Sequence, residues 1–299
     1  MLHLPEGVDL NNLLNGLRSC SWAASDILLN YSQKIKDKQS KSSFVQTKVN
    51  DEPVTLADLE VNNLIFDYFY KEFSEIKWAI LSEETSKTQF ENKFNDGWLW
   101  ILDPLDGTKD FIQESGNYAT HLALNFNNKP IFGLVLIPSK NELWIANGNE
   151  VWCENKNRVK KSPELSLCRD MGEMTIVTSK NHKNQTLNNL INKIGFKNSI
   201  SMGSIGCKIA SILRGEADIY ISLSLPGQSS PKDWDFAAPA AVLQQAGGCI
   251  TDLHNREISY NKKDFKQEGI IIASSNKEYH REICLEIKRV LTKNKIPFF

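Results

Sequence analysis

The sequence predicts a layered α/β protein in two lobes. Three observations carry that expectation. The opening segments place apolar residues at helical spacing. From Trp78 to Ala146 the pattern changes to short apolar runs separated by turn residues. Beyond Met174, strand-length and helix-length segments alternate. Residues 1–155 are expected to form an α+β lobe and residues 156–299 an α/β lobe. The polar stretch Glu154–Glu173 marks the change between them.

Taken in order, residues 9–36 carry Leu10, Leu13, Leu14, Leu17, Ala24, Ile27, Leu28 and Tyr31 on one helical stripe, with Asp9 placed to cap it. The basic run Lys34–Lys41 that follows reads as a solvated helix end or loop, with phosphate steering as the alternative. Thr55–Phe73 is a second amphipathic helix. Thr55 and Asp58 have the spacing of a helix-start box, and Pro53 stands just before it. Trp78–Leu81 and Trp98–Leu102 are buried strands that run into acidic residues. Tyr118–Phe126, Pro130–Ile137 and Glu142–Ala146 follow as strands, with Asn127-Asn128 as a hairpin turn. Connections of turn length predict an antiparallel sheet. In the second lobe, strands Met174–Val177, Ser199–Ser201, Asp218–Ile221 and Ile270–Ala273 alternate with helices His182–Ile194, Ser204–Leu213, Asp235–Gln245 and Lys277–Leu291.

Composition narrows the classes of function. The chain has 299 residues, of which 41% are hydrophobic and 24% charged, so it can bury a core without staples. Lys and Arg number 35 and Asp and Glu 36, a net charge of −1. That balance argues against nucleic acid or a membrane surface as partner, but leaves room for a small anionic ligand held by local charge. No two of the six cysteines are closer than 15 positions, so there is no C-x-x-C pair, and reduced buried thiols are expected. Met1–Leu10 lacks the pattern of a secretion signal, and no apolar run reaches the length of a membrane span. The expectation is a soluble, cytoplasmic protein, monomeric or homodimeric.

The chemistry is concentrated in Asp103-Pro104-Leu105-Asp106-Gly107-Thr108-Lys109-Asp110, directly after a buried strand. Two carboxylates converging at a strand end repel each other, and a bound divalent cation removes that repulsion. Taken alone, the motif is also ordinary acidic turn chemistry. Glu83-Glu84 stands at the end of another strand, Trp234-Asp235 opens a helix, and Asp58 lies near the start of one. Acidic residues at strand ends and helix starts occupy the usual ligand positions of α/β folds. All-oxygen donors suit Mg²⁺ better than zinc.

Together, Ser82-Glu83-Glu84, Asp103-Pro104-Leu105-Asp106-Gly107-Thr108 and Trp234-Asp235 resemble the motifs of the inositol monophosphatase superfamily, in the family order. These are Mg²⁺-dependent, lithium-sensitive phosphomonoesterases, and the resemblance spans about residues 10–275. It implies an αβαβα sandwich. Within the superfamily the chain looks most like the 3′(2′),5′-bisphosphate nucleotidases. Lys109 follows the core motif, and Gly203-Ser204-Ile205-Gly206-Cys207-Lys208 resembles that branch's phosphate segment. Ile205 and Pro239 depart from the family pattern, both on the substrate side.

The resemblance also implies roles. Glu83, Asp103 and the Leu105 carbonyl would hold one Mg²⁺, and Asp103, Asp106 and Asp235 a second. Glu84 stands behind them, where a third ion has a place. Thr108, with Asp58 behind it, would orient and deprotonate the attacking water. The amides of Gly107 and Thr108 would meet the phosphate, Gly203 and Ser204 the sugar, and Lys208 a second phosphate. Lys109 and Lys232 stay open as substrate contacts. His121 reads as a packed core or sheet histidine, and Trp234 as a wall of the nucleotide pocket.

The leading expectation is removal of the 3′-phosphate from adenosine 3′,5′-bisphosphate, a by-product of sulfate assimilation, with the 3′-phosphoadenylyl sulfate donor as a second substrate. The alternatives are an inositol monophosphatase or fructose-1,6-bisphosphatase of the same superfamily. A more distant one is a non-catalytic nucleotide or anion sensor. Such a sensor would normally have lost a metal carboxylate, and all four are intact here.

Overall fold

A computed structural model describes residues 4–37, 45–47, 53–86, 97–181, 185–225, 227, 229–262 and 264–296. The first three residues of the expected helix His182–Ile194 lie outside the described residues. So do positions 38–41 of the basic run and Pro226 and Gln228 of the loop before Lys232.

Helix α1 (Leu10–Lys36) starts where Asp9 Oδ1 accepts the Asn12 N–H at 2.8 Å. A short ribbon of β1 (Val45–Thr47) and β2 (Pro53–Thr55) leads into α2 (Leu56–Glu72). Thr55 and Asp58 form the expected capping box there. Then come β3 (Ala79–Ser82), β4 (Trp98–Asp106), the one-turn α3 (Thr108–Ile112), β5 (Ala119–Phe126), β6 (Lys129–Ile137), β7 (Glu142–Ala146), β8 (Val151–Glu154) and β9 (Lys160–Lys161). These strands form one sheet in the order β3-β4-β5-β6-β7-β8-β9. Asn127 and Asn128, both at positive φ, make the β5–β6 hairpin turn.

One pairing differs from the sequence expectation. β3 and β4 are parallel, while every other neighbouring pair in this sheet is antiparallel. The segment between β3 and β4 is long enough for a crossover, which tight hairpins are not. The change of lobe expected between residues 155 and 156 falls between β8 and β9.

The second half contributes β10 (Thr175–Ser179), α4 (Gln185–Ile194), β11 (Asn198–Met202), α5 (Ile205–Leu213), β12 (Ile219–Ser224), α6 (Asp233–Gln245), β13 (Cys249–Asp252), β14 (Gly269–Ser274) and α7 (His280–Lys293). Its sheet runs β11-β10-β12-β14-β13, parallel on the β11 side and antiparallel on the β13 side.

Three apolar cores fill the four interfaces between five layers, the αβαβα sandwich. Leu13, Leu17, Val61 and Phe69 of α1 and α2 pack on Trp100, Leu122 and Leu134 of the first sheet. Ile209, Ile212, Phe236 and Val242 of α5 and α6 fill the space between the two sheets, touching both. Leu187, Leu190, Ile283 and Ile287 of α4 and α7 cover the outer face of the second sheet. Every residue of α5 is buried, as expected of a helix that is apolar nearly all round. Pro239 sits inside α6, which continues to Gln245. All six cysteines are free, and among the described residues no helix is long and apolar enough to cross a membrane.

Candidate metal centre

Strand β4 is apolar up to Leu102, so it runs through the interior and delivers its acidic end between the layers. Asp103 is 1% exposed and Asp106 9%. Asp235 reaches the same place from the first turn of α6. One carboxylate oxygen from each of Asp103, Asp106 and Asp235 lies within 4.8 Å of the others. Bringing three like charges this close out of water raises their affinity for protons. Burial pushes the Asp103 carboxyl well up, helped by Glu83, Asp106 and Asp235. Burial and Asp106 do the same to Asp235.

The protein fixes each carboxylate through one oxygen. Asp103 Oδ1 accepts the Leu105 N–H at 3.0 Å, and Asp235 Oδ2 accepts the Lys232 N–H at 2.6 Å. Asp106 Oδ2 accepts from the Ser204 hydroxyl at 2.6 Å and from the amides of Ile205 and Gly206 at 2.5 and 3.2 Å. Those amides open α5, so the helix N-terminus faces a negative charge. Among the described residues, the second oxygen of each carboxylate accepts no hydrogen bond.

Glu83 follows β3, its amide bonded to the Leu102 carbonyl at 3.1 Å, and it is half-buried outside the tight group of three. Asp58 is 2% exposed. Its Oδ2 takes the Thr55 amide and hydroxyl at 2.8 and 2.6 Å. Its Oδ1 lies 3.5 Å from the Thr108 hydroxyl, which also donates to the Leu105 carbonyl at 3.1 Å. Burial pushes the Asp58 carboxyl up to about 7, against the Thr55 bonds that lower it and with Glu84 and Glu83 adding to the rise. Asp58 therefore does two things expected separately: it caps α2 and it backs Thr108.

Gly107, at φ +87°, turns the chain from β4 into α3. A Cβ there would sit 2.9 Å from the Asn117 carbonyl and 3.2 Å from the Ser204 amide. The close approach that needs a glycine is thus to the protein itself. It brings the 103–108 turn against Ser204, at the start of α5. Gly203 is buried against the Asp110 carboxylate, which a Cβ would overlap.

Lys208, expected at a second phosphate, lies in the interior. It is 3% exposed, its ammonium donates to the Ser204 carbonyl at 3.1 Å, and it lies 5.3 Å from the centre of the Tyr220 ring. A helix enclosed by two sheets offers a lysine no solvent face. Burial lowers its proton affinity, while Asp106, Cys207, Asp110 and Asp235 oppose that fall. Trp234 is 7% exposed and packs on Phe265, as a core residue does. Lys109 is exposed, and the Lys232 ammonium donates to the Asp264 carbonyl at 3.1 Å.

Sequence reasoning missed Asp110. This buried carboxylate takes the Ser115 hydroxyl at 2.6 Å and the side-chain amide of Asn181, with Lys180 4.0 Å away. It ties the 103–110 turn to the end of β10 and to Gly203. Its signal was available: a second acidic residue at the end of an already acidic motif, facing a glycine that only distance in sequence concealed.

The inositol monophosphatase family model matches residues 9–291. The 3′(2′),5′-bisphosphate nucleotidase CysQ of Escherichia coli (strain K12) is 29% identical over 225 residues, 75% of this chain and 86% of its own. The Thermotoga maritima IMPase superposes with a TM-score of 0.72 at 21% identity, covering 94% of this chain and 99% of its own. CysQ from Bacteroides thetaiotaomicron gives 0.70 at 24%, covering 88% and 98%. At these identities the structural likeness shows the fold.

Proposed function

The chain belongs to the inositol monophosphatase family, and we propose that within it the protein is a Mg²⁺-dependent 3′(2′),5′-bisphosphate nucleotidase that hydrolyses the 3′-phosphate of adenosine 3′,5′-bisphosphate and also accepts 3′-phosphoadenylyl sulfate. The observation that carries the reading is the convergence of Asp103, Asp106 and Asp235 beside the Asp58–Thr108 pair. The family's enzymes use Mg²⁺, and the donor set fits it. The ligands are all oxygen, one oxygen from each of the three carboxylates lies within 4.8 Å of the others, and the clustered charges lack a neutralising partner of equal size. Glu83, Asp103 and the Leu105 carbonyl are assigned to one ion, Asp103, Asp106 and Asp235 to a second, and Glu84 to the surroundings of a third. When bound, Mg²⁺ neutralises these carboxylates and draws charge from the phosphate oxygens.

The chain's own groups do the rest. Asp58, with a proton affinity near neutrality, suits the taking of a water proton through the Thr108 hydroxyl. With its proton turned from the Leu105 carbonyl to Asp58, the Thr108 hydroxyl is assigned to accept from that water and orient it. The Gly107 and Thr108 amides are assigned to the transferred phosphate, and Gly203 and Ser204 to the sugar. Lys208 is assigned to the second phosphate, and to reach it the ammonium must leave the Ser204 carbonyl. The preference for a nucleotide bisphosphate over inositol phosphate or fructose 1,6-bisphosphate is supported by the names of the curated relatives and by Lys109 after the D-P-L-D-G-T core.

Phosphate release from adenosine 3′,5′-bisphosphate, 3′-phosphoadenylyl sulfate, inositol 1-phosphate and fructose 1,6-bisphosphate, with Mg²⁺ and with excess chelator, tests the reading. The nucleotide substrates should be fastest, and chelator should stop all release. Faster release from inositol 1-phosphate would overturn the substrate assignment, and full activity in chelator the metal assignment. LiCl should inhibit where matched KCl does not. In Lys208→Ala, KM for the bisphosphate should rise more than kcat falls, with a one-phosphate substrate little affected.

A further inference from the structure

His121 stands on β5 directly across from Asp103. The ring is fully buried. Nδ1 lies 3.2 Å from the carbonyl oxygen of Trp234. A carbonyl has no proton to give, so Nδ1 is the donor. Nε2 lies 3.4 Å from Asp106 Oδ2 and has no hydrogen-bond partner among the described residues. Trp234 immediately precedes Asp235 in α6. One rigid ring therefore spans from a carboxylate on β4 to the backbone beside the carboxylate on α6.

The ring fits only because residue 206 is glycine. A Cβ at that position would overlap His121 Nε2 and come within 2.9 Å of Val135 Cγ1. Gly206 also donates its amide to the same Asp106 oxygen. The imidazole is thus held between β5, α5 and α6, the three elements that meet around the acidic cluster. A residue present only to fill the core would not require a histidine here, because burying an imidazole with one unpaired nitrogen is costly.

We propose that His121 is a positioning residue for the cation site: its ring fixes the separation of α6 from β4 at which Asp103, Asp106 and Asp235 converge. The proposal rests on the metal reading above. Groups that hold metal ligands in place typically contribute 10- to 100-fold in metal affinity.

The test uses the whole chain and Mn²⁺ alone as probe, with binding followed by calorimetry. His121→Ala should weaken Mn²⁺ binding by about 10-fold or more. His121→Asn keeps an N–H donor on a shorter arm and should fall between. Gly206→Ala should weaken binding by driving the ring off its seat. In the double variant the ring is gone and only the Val135 contact remains, so the added methyl should cost less than it does in Gly206→Ala alone. Circular dichroism and melting in chelator report the fold of each variant. The Mg²⁺ concentration giving half-maximal phosphate release should rise in parallel, with excess Mg²⁺ recovering rate.

Unchanged Mn²⁺ affinity in folded His121→Ala or His121→Asn overturns the proposal, as do strictly additive losses in the double variant. Loss of the native fold in both His121 variants also overturns it, because His121 is then a packing residue. If the unaltered protein binds no Mn²⁺, the metal reading itself fails, which the other outcomes leave intact.

Discussion

Along β4 and β5 the side chains alternate between the two faces of one sheet. Trp100, Leu102, Leu122 and Leu124 meet α1 and α2, whereas Leu99, Ile101, Ala119 and Ala123 belong to the core shared with α5 and α6. The first face is large and aromatic: Trp100 packs against Phe69, Trp78 and Phe132. The second is small and partly polar, with Gly133 beside Ala241 and with His121 and Asn125 buried on β5. Small residues let α6 lie close to the strands, and that close approach carries Asp235 to Asp103 and Asp106. The difference teaches that one face carries stability while the other gives up packing volume for a cluster of charge.

Substitutions on the two faces should therefore separate activity from stability. The largest effect is expected for Asp103→Asn. Removing a group behind a metal ligand costs 10- to 100-fold, so loss of the shared ligand itself should exceed about 100-fold in phosphate release. The same change should raise the melting temperature in chelator, because it removes one of three repelling carboxylates. A fall in that melting temperature would show that the cluster is not a source of strain. On the opposite face, Trp100→Ala should cost about 3–5 kcal/mol in denaturant unfolding. The Mg²⁺ dependence of whatever remains folded should not move. Gly133→Ala puts a methyl against Ala241 and the Ala238 carbonyl, and overpacking costs about 1–3 kcal/mol. It should also weaken divalent binding, since α6 must shift; a stability loss with unchanged metal affinity would uncouple the helix from the site. The smallest effect is expected for Ile145→Val on the α1–α2 face, about 0.5–1.5 kcal/mol with rates unaltered.

The same contrast explains what the sequence disclosed. Helices α1 and α2 and strands β4 to β7 were legible because each has a period and a cap or turn: Asp9, the Thr55–Asp58 box, Asn127-Asn128. Strands β8, β9 and β13 escaped because four residues or fewer leave no period to read, whereas the equally short β3 was marked by the acidic pair that follows it. The acidic residues were legible as a set, since their motifs sit at strand ends and helix starts. Their surroundings were not. Lys208 has a neighbour's spacing from Ser204, but spacing says nothing about which way a lysine points inside a helix enclosed on both sides. The signal was there in the helix, apolar on nearly every side. His121 was correctly read as buried; that its ring bridges Asp106 and Trp234 depends on a contact between residues more than a hundred positions apart.

The central layer has a consequence for how the chain reaches this state. Helices α5 and α6 lie between the two sheets, yet they are made after every strand of the first. Until residue 205 has left the ribosome, one face of a seven-stranded sheet lacks both covering helices, and until residue 235 follows, the site lacks Asp235. Contacts that distant in sequence form late and slowly. During synthesis the exposed face, with its unpaired strand edges, is the surface most open to association with other chains. A fragment ending before α5 should therefore aggregate, and the site should appear in the last stage of folding.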